Sequence, residues 1–449
     1  TDDAHLYYKT EFCREWHFLL GEPPLAYRDR IDWIEAVAQA PATLDEAEAR
    51  TPGVKALVQR LRAGLNPYQQ QTFDLDHRFL MNYGWWQAVR NQSQVAQLLG
   101  IAEQERERNP HFRAFDEIAS DPSVRDAWKT LLAHTRKKVL KNEYNMDAAI
   151  MARYTRELGP IDWRHPHAHQ LYWSTLGMER AEHRRLYEEE IYRVVNNDRM
   201  RIQAMQALAR TGRITFDPFS NEIPSGYAEP WWIQTIFGTP DAPGIFDELY
   251  AKHYDTRGAG GDTFIGFLEN FMSSAIREAY RAGERERAEY YLSKMDNLFG
   301  VGAGIPDDTY LQPLDVFVQN EIRGEIVQQP YIALSEVVAS LRFGIRAGIA
   351  RNQPEKWEAA LTFADQMIAL FQNNENYNYV NKFGRGRLKE LTDRLATAKE
   401  NAFLQLMLDP TVDLRERATI WARIDSFPET RYLRAKVYDR LVPQLQMQY

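Results

Sequence analysis

The sequence predicts a mostly α-helical protein of stacked antiparallel helical hairpins, an α-solenoid in outline, with one small irregular and partly β insertion. Three observations predict it. Apolar residues recur at steps of three and four over most of the chain, which gathers them on one face of a helix. Single glycine, asparagine and proline positions of the kind that end helices punctuate those runs. One stretch departs from the pattern, residues 212–262, where Pro and Gly are frequent and "GRITFDP" reads as a short strand closed by proline. The division that follows is an N-terminal helical region over 1–211, the insertion over 212–262, and a C-terminal helical region over 263–449.

Composition bounds the function classes. A chain of 449 residues is too long for one ordinary core, and 44% apolar with 12% aromatic residues argues against disorder. A net charge of −8, with acids and bases interspersed, speaks against a general nucleic-acid binder and against an acidic tail. The lone Cys13 rules out an intrachain disulfide, a cysteine-rich zinc site and CxxCH haem attachment, and in "EFCREWHFLL" it reads as core. No run is long and apolar enough to span a bilayer. Thr at position 1 leaves room for a preceding leader or membrane anchor, so any membrane contact is expected only through such a segment.

The clearest helices lie in residues 263–299. Phe264, Phe267, Phe271, Ala275 and Ala279 form one stripe. Gly283 ends that helix, since glycine takes the left-handed conformation without strain. A second stripe follows through Ala288, Tyr291, Leu292 and Met295, so two antiparallel helices joined by a tight turn are expected. Looser versions run over 167–195, with a turn at Gly177, and over 335–371, broken near Asn352 and Pro354.

The order Ala279, Gly283, Ala288, Leu292 resembles a tetratricopeptide-type hairpin, in which small residues let paired helices approach closely. That resemblance implies a repeat-like α-solenoid with extended interaction surfaces, although no strict period runs through the chain. "YNMDAAIMARYTRELGPIDWRHPHAHQLYWSTLG" (144–177) is similar to a segment of uncharacterised bacterial proteins, chiefly from planctomycetes, that carry an N-terminal membrane segment. This second resemblance implies a bacterial, membrane-associated protein on the extracytoplasmic side. It brings no activity and no functional residue.

"RHPHAHQLYW" (164–173) is the sharpest chemical motif. On a strand, His165, His167 and His169 would point one way and could ligate a metal. Pro166 instead suits the first position of a helix, which splits the trio and leaves His165 and His169 roughly sharing a face. The expected reading is helix-start packing without metal. The alternative is a metal-dependent enzyme on the cluster, with His165, His169 and His183 as ligands and Glu179 beside them.

The remaining motifs are bland. "GVGAGIP" (300–306) follows a helix rather than a strand, so it is not a dinucleotide fingerprint. "RGAGGDTF" (257–264) lacks the P-loop ending, and Asp262 or Thr263 reads as an N-cap. Lys382, Arg385 and Arg387 in "NKFGRGRLKE" read as a solvated loop, and the acids of "FDLDHRF" (73–79) have no second metal motif. No catalytic residue and no cofactor is expected. The default function is a non-catalytic interaction or scaffold subunit, with other protein subunits or further copies of itself as partners. The aromatic insertion supplies the candidate contact residues: Tyr227, Trp231, Trp232 and Phe237.

Overall fold

A computed structural model describes residues 2–24, 27–65, 67–182, 191–219, 225–227, 231–254, 261–281, 283–328, 331–372, 395–409, 412 and 414–448. Helix dominates it. Tertiary contacts divide the chain into two units, Thr1–Ile236 and Phe237–Tyr449. Residues 212–262 are shared between them, with the strands in the first unit and everything from Phe237 onward in the second.

The principal helices of the first unit are α1 (Asp2–Leu20), α2 (Tyr27–Ala38), α3 (His77–Gln87), α4 (Gln94–Leu98), α5 (Pro110–Ala119), α6 (Arg125–Asn142), α7 (Ala148–Leu158), α8 (Pro166–Glu182) and α9 (Ile191–Thr211). Side-chain caps set several starts. Asp76 accepts the Phe79 N–H at 3.1 Å, Asp147 accepts the Ala149 N–H at 2.8 Å, and Asn109 precedes Pro110 at the head of α5. The carboxylates of "FDLDHRF" are thereby explained: Asp76 caps α3, and Asp74 pairs with Lys138 at 2.9 Å. Trp16, Leu131, Tyr154, Trp163 and Ile202 lie in the core.

Helices α1 and α3 cross so closely that a Cβ on Gly84 would lie 2.5 Å from the Phe18 Cβ and against the Phe18 backbone. Gly84→Ala is therefore expected to lower stability by about 1–3 kcal/mol through overpacking, read as a lower urea midpoint. An unchanged midpoint would show that the crossing is looser than this.

Helix α3 does not end at Gln87 but continues into a π-helical turn, Ala88–Gln92, closed by Ser93 N–H donating to Ala88 O at 2.8 Å. The wider turn carries Arg90, whose Nε donates to the buried Asp116 at 2.8 Å beside the Trp86 indole, also 2.8 Å away. Burial pushes the Asp116 carboxyl up, but the Arg90 and Trp86 bonds outweigh it and hold it below the usual carboxylate range.

One expected turn is absent. Helix α8 runs unbroken through Gly177, with the Asn197 side chain from α9 beside it. Gly177 there has the ordinary helical φ of an interior residue rather than the positive φ that would mark a C-terminal cap. After α9, "GRITFDP" forms the expected half of a ribbon: β1 (Arg213–Thr215) runs antiparallel to β2 (Ser225–Tyr227), with Arg213 opposite Tyr227. A short helix, α10 (Trp231–Phe237), follows.

The second unit contains α11 (Ile245–Tyr254), α12 (Gly261–Arg281), α13 (Arg285–Phe299), α14 (Leu314–Gln328), α15 (Tyr331–Phe343), α16 (Pro354–Gln372), α17 (Leu395–Leu408), α18 (Leu414–Arg423) and α19 (Leu433–Gln448). The turn between α12 and α13 falls at Gly283, at φ +73°, and Glu284 N–H closes back on Ala279 O at 2.9 Å. Phe264, Phe271, Ala275 and Ala279 are buried on one helix, and Ala288, Tyr291, Leu292 and Met295 on the other. Because α12 already begins at Gly261, Asp262 and Thr263 sit in its first turn rather than at its cap.

The break between α15 and α16 also falls where expected. Asn352 adopts φ +55°, and Pro354 is the first residue of α16. Between them lies a second π-helical turn, Gly344–Ile349, closed by Ala350 N–H to Ile345 O at 2.9 Å. Trp357 packs against its two glycines: a Cβ on Gly348 would come 2.7 Å from the Trp357 Cβ. This turn again presents an arginine, Arg346, which grips Glu416 through two bonds of 2.7 Å.

Candidate functional site

The polar centre of the first unit was not legible in the sequence. Asp162 and Arg164 flank Trp163 in the loop between α7 and α8, and all three are buried. The Arg164 guanidinium donates to Asp162 through Nε at 3.0 Å and Nη2 at 2.8 Å, and to Ile214 O of β1 at 2.9 Å. Its Nη1 donates to Nδ1 of His17 on α1 at 3.1 Å. That nitrogen must then be bare, so His17 carries its proton on Nε2 and donates to Gln92 Oε1 of the π-turn at 2.8 Å.

The electrostatics agree with this tautomer. Burial, followed by the Arg164 charge, lowers the His17 pKa to about 4. Burial opposes the Asp162 charge, yet Arg164 outweighs it and holds that carboxyl below the usual range. Phe216 completes the enclosure, edge-on to His17 at 5.3 Å and beneath the Arg164 guanidinium at 5.8 Å. One residue further, Asp217 accepts Ser93 Oγ at 2.6 Å and the Val95 N–H at 3.1 Å, fastening the ribbon to the start of α4. Four of the five N–H groups of Arg164 are thus spent on protein acceptors. The arrangement joins α1, the π-turn, the α7–α8 loop and β1.

The histidine motif resolves in the same terms. Helix α8 begins at Pro166, as expected, and His165 caps it: the His167 N–H donates to His165 Nδ1 at 3.1 Å. Thr211 Oγ1 gives its own proton to Ala207 O at 2.8 Å, so it accepts from His165 Nε2 at 3.0 Å. His169 Nε2 donates to Trp163 O at 2.9 Å, and its ring packs edge-on against Trp16 at 4.1 Å and Phe12 at 4.9 Å. Burial lowers the His169 pKa to about 4. Glu179 is held by Arg153 through bonds of 2.8 and 2.7 Å. His183 lies outside the described residues, as do Lys382, Arg385 and Arg387. Among the described residues, no three His, Cys, Asp or Glu side chains converge as a metal-binding set.

The aromatic contact candidates separate. Trp231 and Trp232 open α10, so their backbone is helical rather than irregular. Trp231 is 45% exposed, whereas Trp232 is fully buried against the loop at Gly159, where the φ of +140° needs glycine. Phe237 is also fully buried, in the second unit among Phe246, Phe271 and Tyr291. The side chain of Tyr227 lies outside what the structure describes.

Large exposed apolar residues concentrate elsewhere. Val301, Ile305, Leu311 and Val316 are all at least 40% exposed and fall within one short stretch of the second unit. The sequence signal was present in "GVGAGIPDDTYLQPLDV", where no amphipathic period assigns these residues to a core face. Among the described residues, no helix is long and apolar enough to cross a membrane. No protein-family model matches the chain, and comparisons with curated proteins and with solved structures find no match.

Proposed function

We propose that this protein is a non-catalytic interaction subunit of a larger assembly, a helical scaffold whose partners are other protein chains. The observation that carries the reading is the exposure of Val301, Ile305, Leu311 and Val316 within one short stretch of the second unit. Exposed apolar residues scattered singly are ordinary, but a local concentration marks a contact surface. The closed Arg164 network adds support, because its donors and acceptors are consumed in holding elements together. A membrane-associated setting rests on the resemblance of residues 144–177 to membrane-anchored bacterial proteins and on nothing else.

The test is the native size of the protein. A tagged chain in gently prepared native extract is expected to elute well above the 52.4 kDa of the single chain, with defined companions in fixed proportion. Elution at the single-chain size in extract, or stoichiometric metal in the purified protein, would overturn the reading.

A further inference from the structure

The chemistry of the partner follows from the charge around the exposed aliphatics, and this step rests on the interaction reading above. From Met295 to Ile322 the chain holds Asp296, Asp307, Asp308, Asp315 and Glu321, and no lysine, arginine or histidine. Asp315 is neutralised by Arg285, which reaches it with bonds of 3.0 and 2.7 Å. Other carboxylates here accept from neutral donors. Asp296 accepts the Gly302 N–H at 3.2 Å, and Asp307 accepts the Thr309 N–H at 2.9 Å. Glu321 accepts the Ser273 hydroxyl, and Glu269 of α12 accepts the Tyr310 hydroxyl. Hydrogen bonds of that kind satisfy oxygens but leave the negative charge standing. The Tyr310 phenol registers the field: burial first, then Glu269, with Asp307 and Glu321 adding, raises its pKa well above the usual range.

The same stretch is built so that its aliphatics face outward. Gly304 N–H bonds to Val301 O at 2.9 Å and Ile305 N–H to Gly300 O at 3.1 Å, wrapping Val301 and Ile305 into one turn at the C-terminal end of α13. That helix end adds further negative potential. Tyr310, Leu314, Phe317 and Val318 are buried and pin the segment down, which leaves Leu311 and Val316 on the outer side.

We propose that residues 301–316 dock a partner segment carrying lysines or arginines beside an aliphatic stripe, complementary to this surface in both charge and apolarity. Apolarity alone would accept any partner; the uncompensated carboxylates select a cationic one. A nucleic acid or an anionic membrane is repelled by the same field, and so is the equivalent face of a second copy.

The probe is a synthetic amphipathic helix of leucine and lysine, titrated calorimetrically into the full chain. Two control peptides replace its lysines by glutamate or its leucines by glutamine. Saturable binding is expected for the first peptide only. It should weaken by roughly tenfold or more in an Ile305→Ser/Leu311→Ser variant and in an Asp307→Asn/Asp308→Asn variant. Ile305, Leu311 and Asp308 are exposed, and asparagine at 307 keeps an oxygen for the Thr309 N–H, so melting is expected to change little while the asparagine pair alters charge with almost no change of shape. Equal binding of the glutamate peptide, or wild-type affinity in both variants, overturns the assignment. An assembly in native extract that survives both pairs of substitutions also overturns it, while leaving the interaction reading standing.

Discussion

Arg164→Met is expected to destabilise the first unit by about 3–5 kcal/mol, because it leaves the fully buried Asp162 carboxylate without its charge partner. The loss also orphans Nδ1 of His17 and the Ile214 carbonyl, each of which accepts from Arg164. In urea unfolding this appears as an early transition of that unit. The contrast with Arg164→Met/Asp162→Asn makes the cause testable. Removing both charges takes away the uncompensated ion, so the double variant should recover a substantial part of the loss. A double variant no better than the single, or a single variant within about 1 kcal/mol of the parent, would show that the pair is not isolated from water.

Acid is expected to weaken the same unit well before its carboxylates titrate. His17 and His169 both have pKa values of about 4 against an ordinary 6.5. Between these limits the unfolded chain binds protons that the folded chain refuses, so stability is full above pH 6.5 and falls as the pH drops towards 4. From pH 7 to pH 5 the loss is about 2 kcal/mol for His17 and no more than that for His169, whose residue keeps some solvent exposure. Urea midpoints at the two pH values measure it. A His17→Gln variant, which keeps an oxygen for the Arg164 donor but cannot titrate, should show a visibly shallower dependence. Equal midpoints at pH 5 and 7 in the parent chain would mean that water reaches both rings.

The sequence made helices legible where a single residue type has one use. Gly283 takes a positive φ at the α12–α13 turn, Asn352 and Pro354 mark the break before α16, and "GRITFDP" pairs as a ribbon. It misled where a residue has two uses. Glycine often terminates helices, but Gly177 lies inside α8, and the Pro- and Gly-rich insertion suggested irregular backbone where Trp231 already begins α10. The polar centre was hidden for a different reason. His17 and Arg164 lie 147 positions apart, and nothing local in "EWHFLL" or "DWRH" announces that they meet. Only the placement of two opposite charges on either side of Trp163 hinted at burial. The outward-facing residues at 301–316 gave only a negative signal, the lack of an amphipathic period to assign them to a core face.

The two π-helical turns have a consequence for how this chain tolerates length changes. Each widens the last turn of its helix, with bonds from Ser93 to Ala88 and from Ala350 to Ile345 that skip one residue more than an α-helix allows. The extra residue rotates the side chains of that last turn relative to the face set up before it. Arg90 meets Asp116, and Arg346 meets Glu416, from within these wider turns. Excising a single residue from either turn is expected to tighten it to an α-helical last turn and swing its arginine away from the carboxylate. Homologous chains should therefore conserve residue count across 88–92 and 344–349 more strictly than residue identity, a constraint on spacing that composition alone would never reveal.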